Sequence, residues 1–322
     1  MKVLLTGAAG FIGSHLAERL CSRGDLVTGF DNFDPFYSRV VKEQNLAALM
    51  RRPEFSFVEG DLTDPQDVVR SFEIAGPVDS VVHLAALAGV RPSIVDPVRY
   101  WNVNVSGTVQ LLRECQVRGV KRIVFASSSS VYGLDSDVPF SERDACNRPL
   151  SPYAASKRAG ELAAWTHHHL HGGAVTCLRF FTVYGPRQRP DLAIHKFTRL
   201  IAAGKPVVLF GDGATSRDYT WIDDILDGTV AAIDEQMGSG RVAFRVYNLG
   251  GSHPTTLKEL VDRISSALGK PALIEWGPEQ PGDMKHTLAD IDLAQSALAY
   301  SPKVSIAAGI PRFVEWWRSV NR

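Results

Sequence analysis

The chain has no surplus charge: 35 lysines and arginines stand against 35 aspartates and glutamates. A neutral protein has no broad field to draw nucleic acid or an anionic membrane, although a local basic site for phosphates remains open. It has no uninterrupted apolar run long enough to span a bilayer. Cysteine is scarce. Cys21, Cys115, Cys146 and Cys177 lie far apart and form no Cys-x-x-Cys pair, which points to a reducing, cytoplasmic setting without structural zinc. Histidine clusters only at His167, His168, His169 and His171. Three of these are consecutive and point in different directions around a helix, so we expect a solvated helix end and no metal site. Residues 1–20 could pass for a secretion signal, but His15, Glu18 and Arg19 follow in helical register. A signal is therefore rejected.

What is present begins at residue 2. Lys2–Thr6 reads as a short apolar strand running into Gly7-Ala-Ala-Gly10-Phe11-Ile12-Gly13, then an amphipathic helix through Leu16 and Leu20 to Gly24. A second strand, 26–30, is closed by Asp31 and followed by Asn32. This is a βαβ opening. Its glycines permit a tight turn, close approach of a pyrophosphate and helix-on-strand packing, with the helix N-terminus facing the phosphates. Asp31 falls about twenty residues on, where an acid binds the adenosine ribose hydroxyls. A carboxylate there repels a 2′-phosphate, and no Arg or Lys follows at once, so NAD is expected over NADP. Residues 40–52 look helical and exposed. A strand at 55–59 ends at Gly60-Asp61-Leu62, where Asp61 and Leu62 are placed to meet the adenine. A buried-type strand, 78–84, ends in Leu84-Ala85-Ala86 and a run of small residues to Arg91, which suits a loop lying against a cofactor. A helix is expected over 103–116, strands over 121–126 and 176–181, and alternating strand and helix between.

Two further stretches carry chemistry. The strand 121–126 ends in four hydroxyls, Ser127 to Ser130, before Val131-Tyr132-Gly133. Beyond them, Ser151-Pro152-Tyr153-Ala-Ala-Ser-Lys157 opens a helix, with Pro152 in its first turn. Tyr153 and Lys157 are four apart and so share a helical face. A phenol titrates near pH ~10 in water, and a nearby ammonium lowers that value. The pair reads as a general base and its electrostatic tuner.

Taken together, the glycines at 7, 10 and 13, the Ser-Val-Tyr-Gly strand end and Tyr153-Ala-Ala-Ser-Lys157 resemble the extended short-chain dehydrogenase/reductases, and within them the nucleotide-sugar epimerases. The likeness covers almost the whole chain, including Leu178-Arg-Phe-Phe-Thr-Val-Tyr-Gly-Pro-Arg187, Gly211-Asp-Gly, Arg217-Asp-Tyr and Pro281-Gly-Asp283. It implies an α/β fold: a doubly wound parallel Rossmann sheet over 1–176 holding NAD, and a smaller α/β domain, mainly 177–322, holding a UDP-sugar. It implies Tyr153 as base, Lys157 as its partner and ribose ligand, Ser128 as the catalytic hydroxyl and Asn104 as a buried polar support on the cofactor side. Arg187, Arg189 and Arg217 become candidates for the nucleotide diphosphate, since guanidinium forks match phosphate oxygens. Asp283 becomes a candidate for the nucleotide ribose. A homodimer through the helices near 103–116 and 153–168 is the family's expectation.

The implied reaction is C4 epimerisation through a transient 4-ketone. Dehydratases of this scaffold carry Asp-Glu after the catalytic hydroxyl and decarboxylases a glutamate at the position of Ser130; here Ser129-Ser130 stand instead. The sugar expected is UDP-glucuronate, interconverted with UDP-galacturonate. Thr182 and Gln280 resemble uronate epimerases, where galactose epimerases commonly place asparagine and arginine. The hydroxyls of Ser127, Ser128, Ser129 and Ser130, with Thr182 and Arg91, are expected to hold the C6 carboxylate. The alternatives are a UDP-glucose/UDP-galactose or N-acetyl 4-epimerase and, more remotely, a silent dinucleotide-binding module.

Overall fold

A computed structural model describes residues 1–134, 136–238, 242–278 and 284–321. Its strands are β1 (Lys2–Thr6), β2 (Leu26–Asp31), β3 (Phe55–Glu59), β4 (Ser80–His83), β5 (Arg122–Ser128), β6 (Ala174–Phe180), β7 (Thr182–Tyr184), β8 (Val207–Phe210), β9 (Ser216–Trp221), β10 (Phe244–Leu249), β11 (Pro254–Thr256) and β12 (Ile274–Gly277). Seven form one sheet in the order β10-β6-β5-β4-β1-β2-β3, and every neighbouring pair is parallel. Strand order reverses between β1 and β4, which opens a crevice at their carboxyl ends.

Burial on both faces explains the apolar character of these strands. Leu4, Val81, Ile123, Phe125 and Cys177 pack to one side with Val68 and Phe72 of the helix Pro65–Ala75 and Leu111 and Leu112 of Gly107–Val117. Their neighbours Val3, Leu5, Val82, Val124 and Leu178 pack to the other, with Leu16 and Leu20 of Phe11–Ser22 and Ile225, Leu226 and Ile233 of Ile222–Gly238. The two-residue period of a strand sorts one sequence into two cores.

Beyond residue 180 the chain builds two small sheets, β11-β9-β7 and β12-β8. The helices Ala193–Ala202, Leu257–Leu268 and Ile306–Val320 cover them with Phe197, Ile201, Leu260, Ile264 and Phe313. Trp316 and Trp317, read from sequence as packing, lie partly buried against this core. The main sheet is completed from late in the chain, since β10 pairs with β6.

Several elements differ from expectation. The stretch 40–52 is a helix, Arg39–Leu46, then a 3-10 turn, Leu49–Arg51, and it is not merely exposed: Leu46 and Leu49 reach the core. The expected helix over 103–116 starts with a π-turn, Asn102–Ser106, and becomes α-helical only from Gly107. The Asn104 side chain is engaged with Leu87, and the Asn104 backbone carbonyl accepts the Thr108 hydroxyl at 2.6 Å. No helix among the described residues is long and apolar enough to cross a membrane.

Candidate active site

At the crevice the turn after β1 makes a cradle with no room for side chains. Gly7 has φ +74°, and a Cβ on it would stand 2.7 Å from the Ala85 amide nitrogen. A Cβ on Gly13 would come within 2.0 Å of the Gly7 carbonyl oxygen. Glycine is therefore required at both positions, and the backbone lies open to a ligand as close as a pyrophosphate. Asp31 ends β2 with its carboxylate turned inward, accepting from the Ala9 amide at 3.1 Å and the Phe33 amide at 2.8 Å. Burial pushes its carboxyl up, while Lys42 and the two amides pull it back. Asn32 donates to Asp61 at 2.8 Å, which joins two of the expected adenosine contacts. Gly10, Phe11, Ile12, Leu62, Leu84, Ala85 and Ala86 line the same cavity of about 1070 Å³. That volume exceeds the common range for a single small ligand. These residues fit a dinucleotide: glycines at the phosphates, a buried acid at the ribose.

The helix Pro152–His171 supplies the reactive end. Ser151 caps it by accepting from the Ala154 amide at 3.1 Å. Tyr153 stands edge-on to Tyr100, ring centres 6.3 Å apart. Burial pushes the Tyr153 phenol up; a hydrogen bond with Ser128 and the charge of Arg189 pull it down. Lys157 lies one turn on, its ammonium 4.7 Å from the centre of the Phe125 ring, and burial lowers it to about 8. Ser128 and Arg189 are thus the groups that oppose burial at the phenol, with Lys157 one turn away. Ser128 caps the 3-10 turn Ser129–Tyr132, accepting from the Ser130 amide at 3.2 Å.

Other expected residues take different places. Asn104 does not line the cavity. It lies behind it, clasping both backbone groups of Leu87 at 2.8 and 2.9 Å and donating to Ser156 at 2.9 Å. Ser127 does line the cavity, but its hydroxyl proton goes to Glu161 at 2.5 Å. The expectation that this hydroxyl donates to a sugar carboxylate is corrected: its one proton is already engaged. Arg187, expected at a diphosphate, is outside the cavity and forks onto Glu18 at 2.8 and 2.9 Å. Arg189, expected beside it, belongs electrostatically with Tyr153 and is held by Asp191 at 3.0 and 2.8 Å. It lines the cavity on the side of Tyr153. Arg91 lies 4.8 Å over the Phe210 ring of β8. Arg217 lines the cavity and donates to the Ser216 and Lys285 carbonyls. Ser129 and Thr182 line the cavity; Asp283 and Gln280 lie outside the described residues. Among those described, no group of His, Cys, Asp and Glu could hold a metal.

Sequence reasoning missed Phe36, Tyr37 and Asp191 in the cavity wall. Phe36 lies 5.0 Å below the Arg189 guanidinium, and only the fold brings these two together.

A model of the NAD dependent epimerase/dehydratase family matches residues 3–250. The chain belongs to that family. Over 331 residues it is 39% identical to a probable UDP-glucuronate 4-epimerase of Rhizobium meliloti, covering 98% of this chain and 97% of that protein. The crystal structure of a UDP-glucuronic acid 4-epimerase from Bacillus cereus, in complex with UDP-glucuronic acid and NAD, superposes with a TM-score of 0.90 at 35% identity, covering 99% of this chain and 100% of that one. A UDP-glucose 4-epimerase of Thermus thermophilus in complex with NAD matches with a TM-score of 0.87 at 32% identity, covering 99% of each.

Proposed function

We infer that the protein is an NAD-dependent UDP-glucuronate 4-epimerase, interconverting UDP-glucuronate and UDP-galacturonate. The observation that carries this reading is Tyr153, Ser128 and Lys157 in the wall of one cavity, at the end of a glycine cradle closed by Asp31. Gly7, Gly10, Gly13 and Asp31 would hold NAD, with Asp61 and Leu62 near its adenine and Lys157 at its second ribose. Bound NAD⁺ supplies reversible two-electron oxidation at the sugar's C4. Tyr153 takes the 4-hydroxyl proton, directly or through Ser128. Arg189 and Ser128 stabilise the phenolate that this requires. The 4-ketone then turns its other face to the cofactor, and Tyr153 returns the proton to the inverted alcohol.

On this reading residues 1–176, joined by the returning 222–249, hold the cofactor, and most of 177–322 holds the UDP-sugar. Arg217 serves the nucleotide end, and Arg91, first expected at the carboxylate, joins it because it lies over Phe210 of β8. The carboxylate falls to Ser129, Thr182 and Arg189, since the one proton of Ser128 is engaged with Tyr153. Its donors must also hold it where the C5–C6 bond does not align with the C4 carbonyl, because the intermediate is a β-keto acid prone to lose CO₂.

The neighbouring helices Gly107–Val117 and Pro152–His171 expose Val109, Leu162 and Trp165, which favours a homodimer paired through them. The buried thiols, raised by burial at Cys21, Cys115 and Cys177, suit a reducing cytoplasm.

A site built around carboxylate donors leaves them poorly paired by a neutral CH₂OH, which costs several kcal/mol of discrimination. kcat/KM for UDP-glucuronate should therefore exceed that for UDP-glucose by at least about a hundredfold. Equal values, or a preference for UDP-glucose, would overturn the uronate assignment in favour of a galactose-type epimerase.

A further inference from the structure

One buried ion cluster takes no part in the chemistry above. Tyr153, Lys157 and Glu161 recur every fourth residue and so share one face of the helix Pro152–His171. Glu161 is buried and its carboxylate is fully used. Oε1 accepts from the Ser127 hydroxyl at 2.5 Å and from Arg179 Nε at 2.9 Å. Oε2 accepts from Arg179 Nη2 at 2.9 Å and from Arg158 Nη1 at 2.8 Å. Ser127 and Arg179 are directly opposed in the β5–β6 register, and Ser127 is the residue before Ser128. One carboxylate thus ties the catalytic helix to the two strand ends that present the serine.

We propose, on the epimerase reading of the site, that Glu161 is a positioning residue which fixes Ser128 against Tyr153 and holds Lys157 as an ammonium. The groups around Lys157 limit what else could do so. Its own helix brings Tyr153, Arg158 and Glu161; β4 brings neutral His83; β5 brings the Phe125 ring; and β6 brings Cys177 and Arg179. Burial pulls Lys157 down to about 8, and Glu161 leads the groups that pull it back. Burial works to raise the Glu161 carboxyl, but Arg179, Ser127 and Arg158 together hold it below the usual carboxylate range. It is the one permanent anion in that list. A buried ion pair is a poor device for stability alone, because packed apolar side chains often do as well.

The test separates charge from clamp. The Lys157 titration is read without sugar, from the ¹⁵N-lysine resonance across pH, and the pH profile of kcat is read on UDP-glucuronate. In Glu161→Gln the titration should fall by about one unit or more. The alkaline limb of kcat should follow it down, with KM little changed, because the working form of Lys157 is the ammonium. Ser127→Ala should lower kcat by about tenfold and leave both titration and limb where the wild type has them.

Should Glu161→Gln fail to fold with Arg179 unpaired, Arg158→Gln leaves the Glu161 charge less compensated and should move the Lys157 titration upward. An unmoved titration in a folded variant would reduce Glu161 to a structural tie and overturn the proposal. Wild-type kcat in Ser127→Ala would overturn its clamping half. If the wild type does not interconvert the sugar, the epimerase reading falls, while the sugar-free titration still decides whether Glu161 holds the charge.

Discussion

At the scale of single residues, Tyr153 has to lose a proton in a place that discourages it. Burial raises the phenol, and the groups opposing that are Ser128 and Arg189. Tyr153→Phe keeps the ring and its edge-on contact with Tyr100 but removes the acceptor. Turnover of UDP-glucuronate should fall by about a thousandfold or more, with NAD affinity close to wild type by fluorescence titration. Activity within tenfold of wild type would remove Tyr153 from the base role. Tyr153, Lys157 and the glycines were legible in the sequence because each rests on local spacing, the period of one helix or the tightness of one turn. Arg187 and Ser127 were misread for the opposite reason. What occupies them is Glu18, distant in sequence, and Glu161, a helix away, and neither pairing leaves a mark in the neighbouring residues. That the charge of Arg189 acts on Tyr153 is likewise visible only in the fold.

Among the elements, the helix Pro152–His171 lies flush on β5 because residue 160 has no side chain. A Cβ on Gly160 would stand 2.4 Å from the tip of the Phe125 ring, the ring beneath Lys157. Gly160→Ala gains about 1 kcal/mol of helix propensity but overpacks a rigid aromatic contact, which costs about 1–3 kcal/mol. The net should be a modest loss in urea unfolding together with a lower kcat, since Lys157 is pushed off its ring. A variant at least as stable as wild type and fully active would show that the helix has room to lift. Strands β1–β6 could be read from apolar periodicity; the six beyond them, only three to six residues each, could not. The π-turn at Asn102–Ser106 could not, because it arises from Asn104 clasping Leu87 across a loop.

For the whole molecule, buried His83 bridges Thr6 and Thr108 at 2.7 and 2.9 Å and is lowered by burial, with some help from Lys157, to about 3. The unfolded chain binds a proton near the ordinary value of 6.5, so stability is fully present above pH 6.5 and is lost as pH falls towards 3. His15, His167 and His195 shift the same way. The melting temperature should therefore drop from pH 7 to pH 5, at about 1 kcal/mol per unit for His83 alone; a flat profile would contradict a neutral His83. If two copies pair through the helices that expose Val109, Leu162 and Trp165, sedimentation should give twice the 35.2 kDa chain mass, and Trp165→Glu should halve it. A single-chain mass in the wild type would reject that pairing. The order of the main sheet has a consequence for biosynthesis. The strand that covers β6 is β10, sixty-odd residues downstream, with β7, β8 and β9 between them. Until residue 249 has left the ribosome, β6 is a bare parallel edge of buried-type residues, the kind that recruits other chains. The nascent protein therefore depends on rapid elongation or a chaperone through that interval, and a ribosome stalled between β6 and β10 releases a sticky fragment.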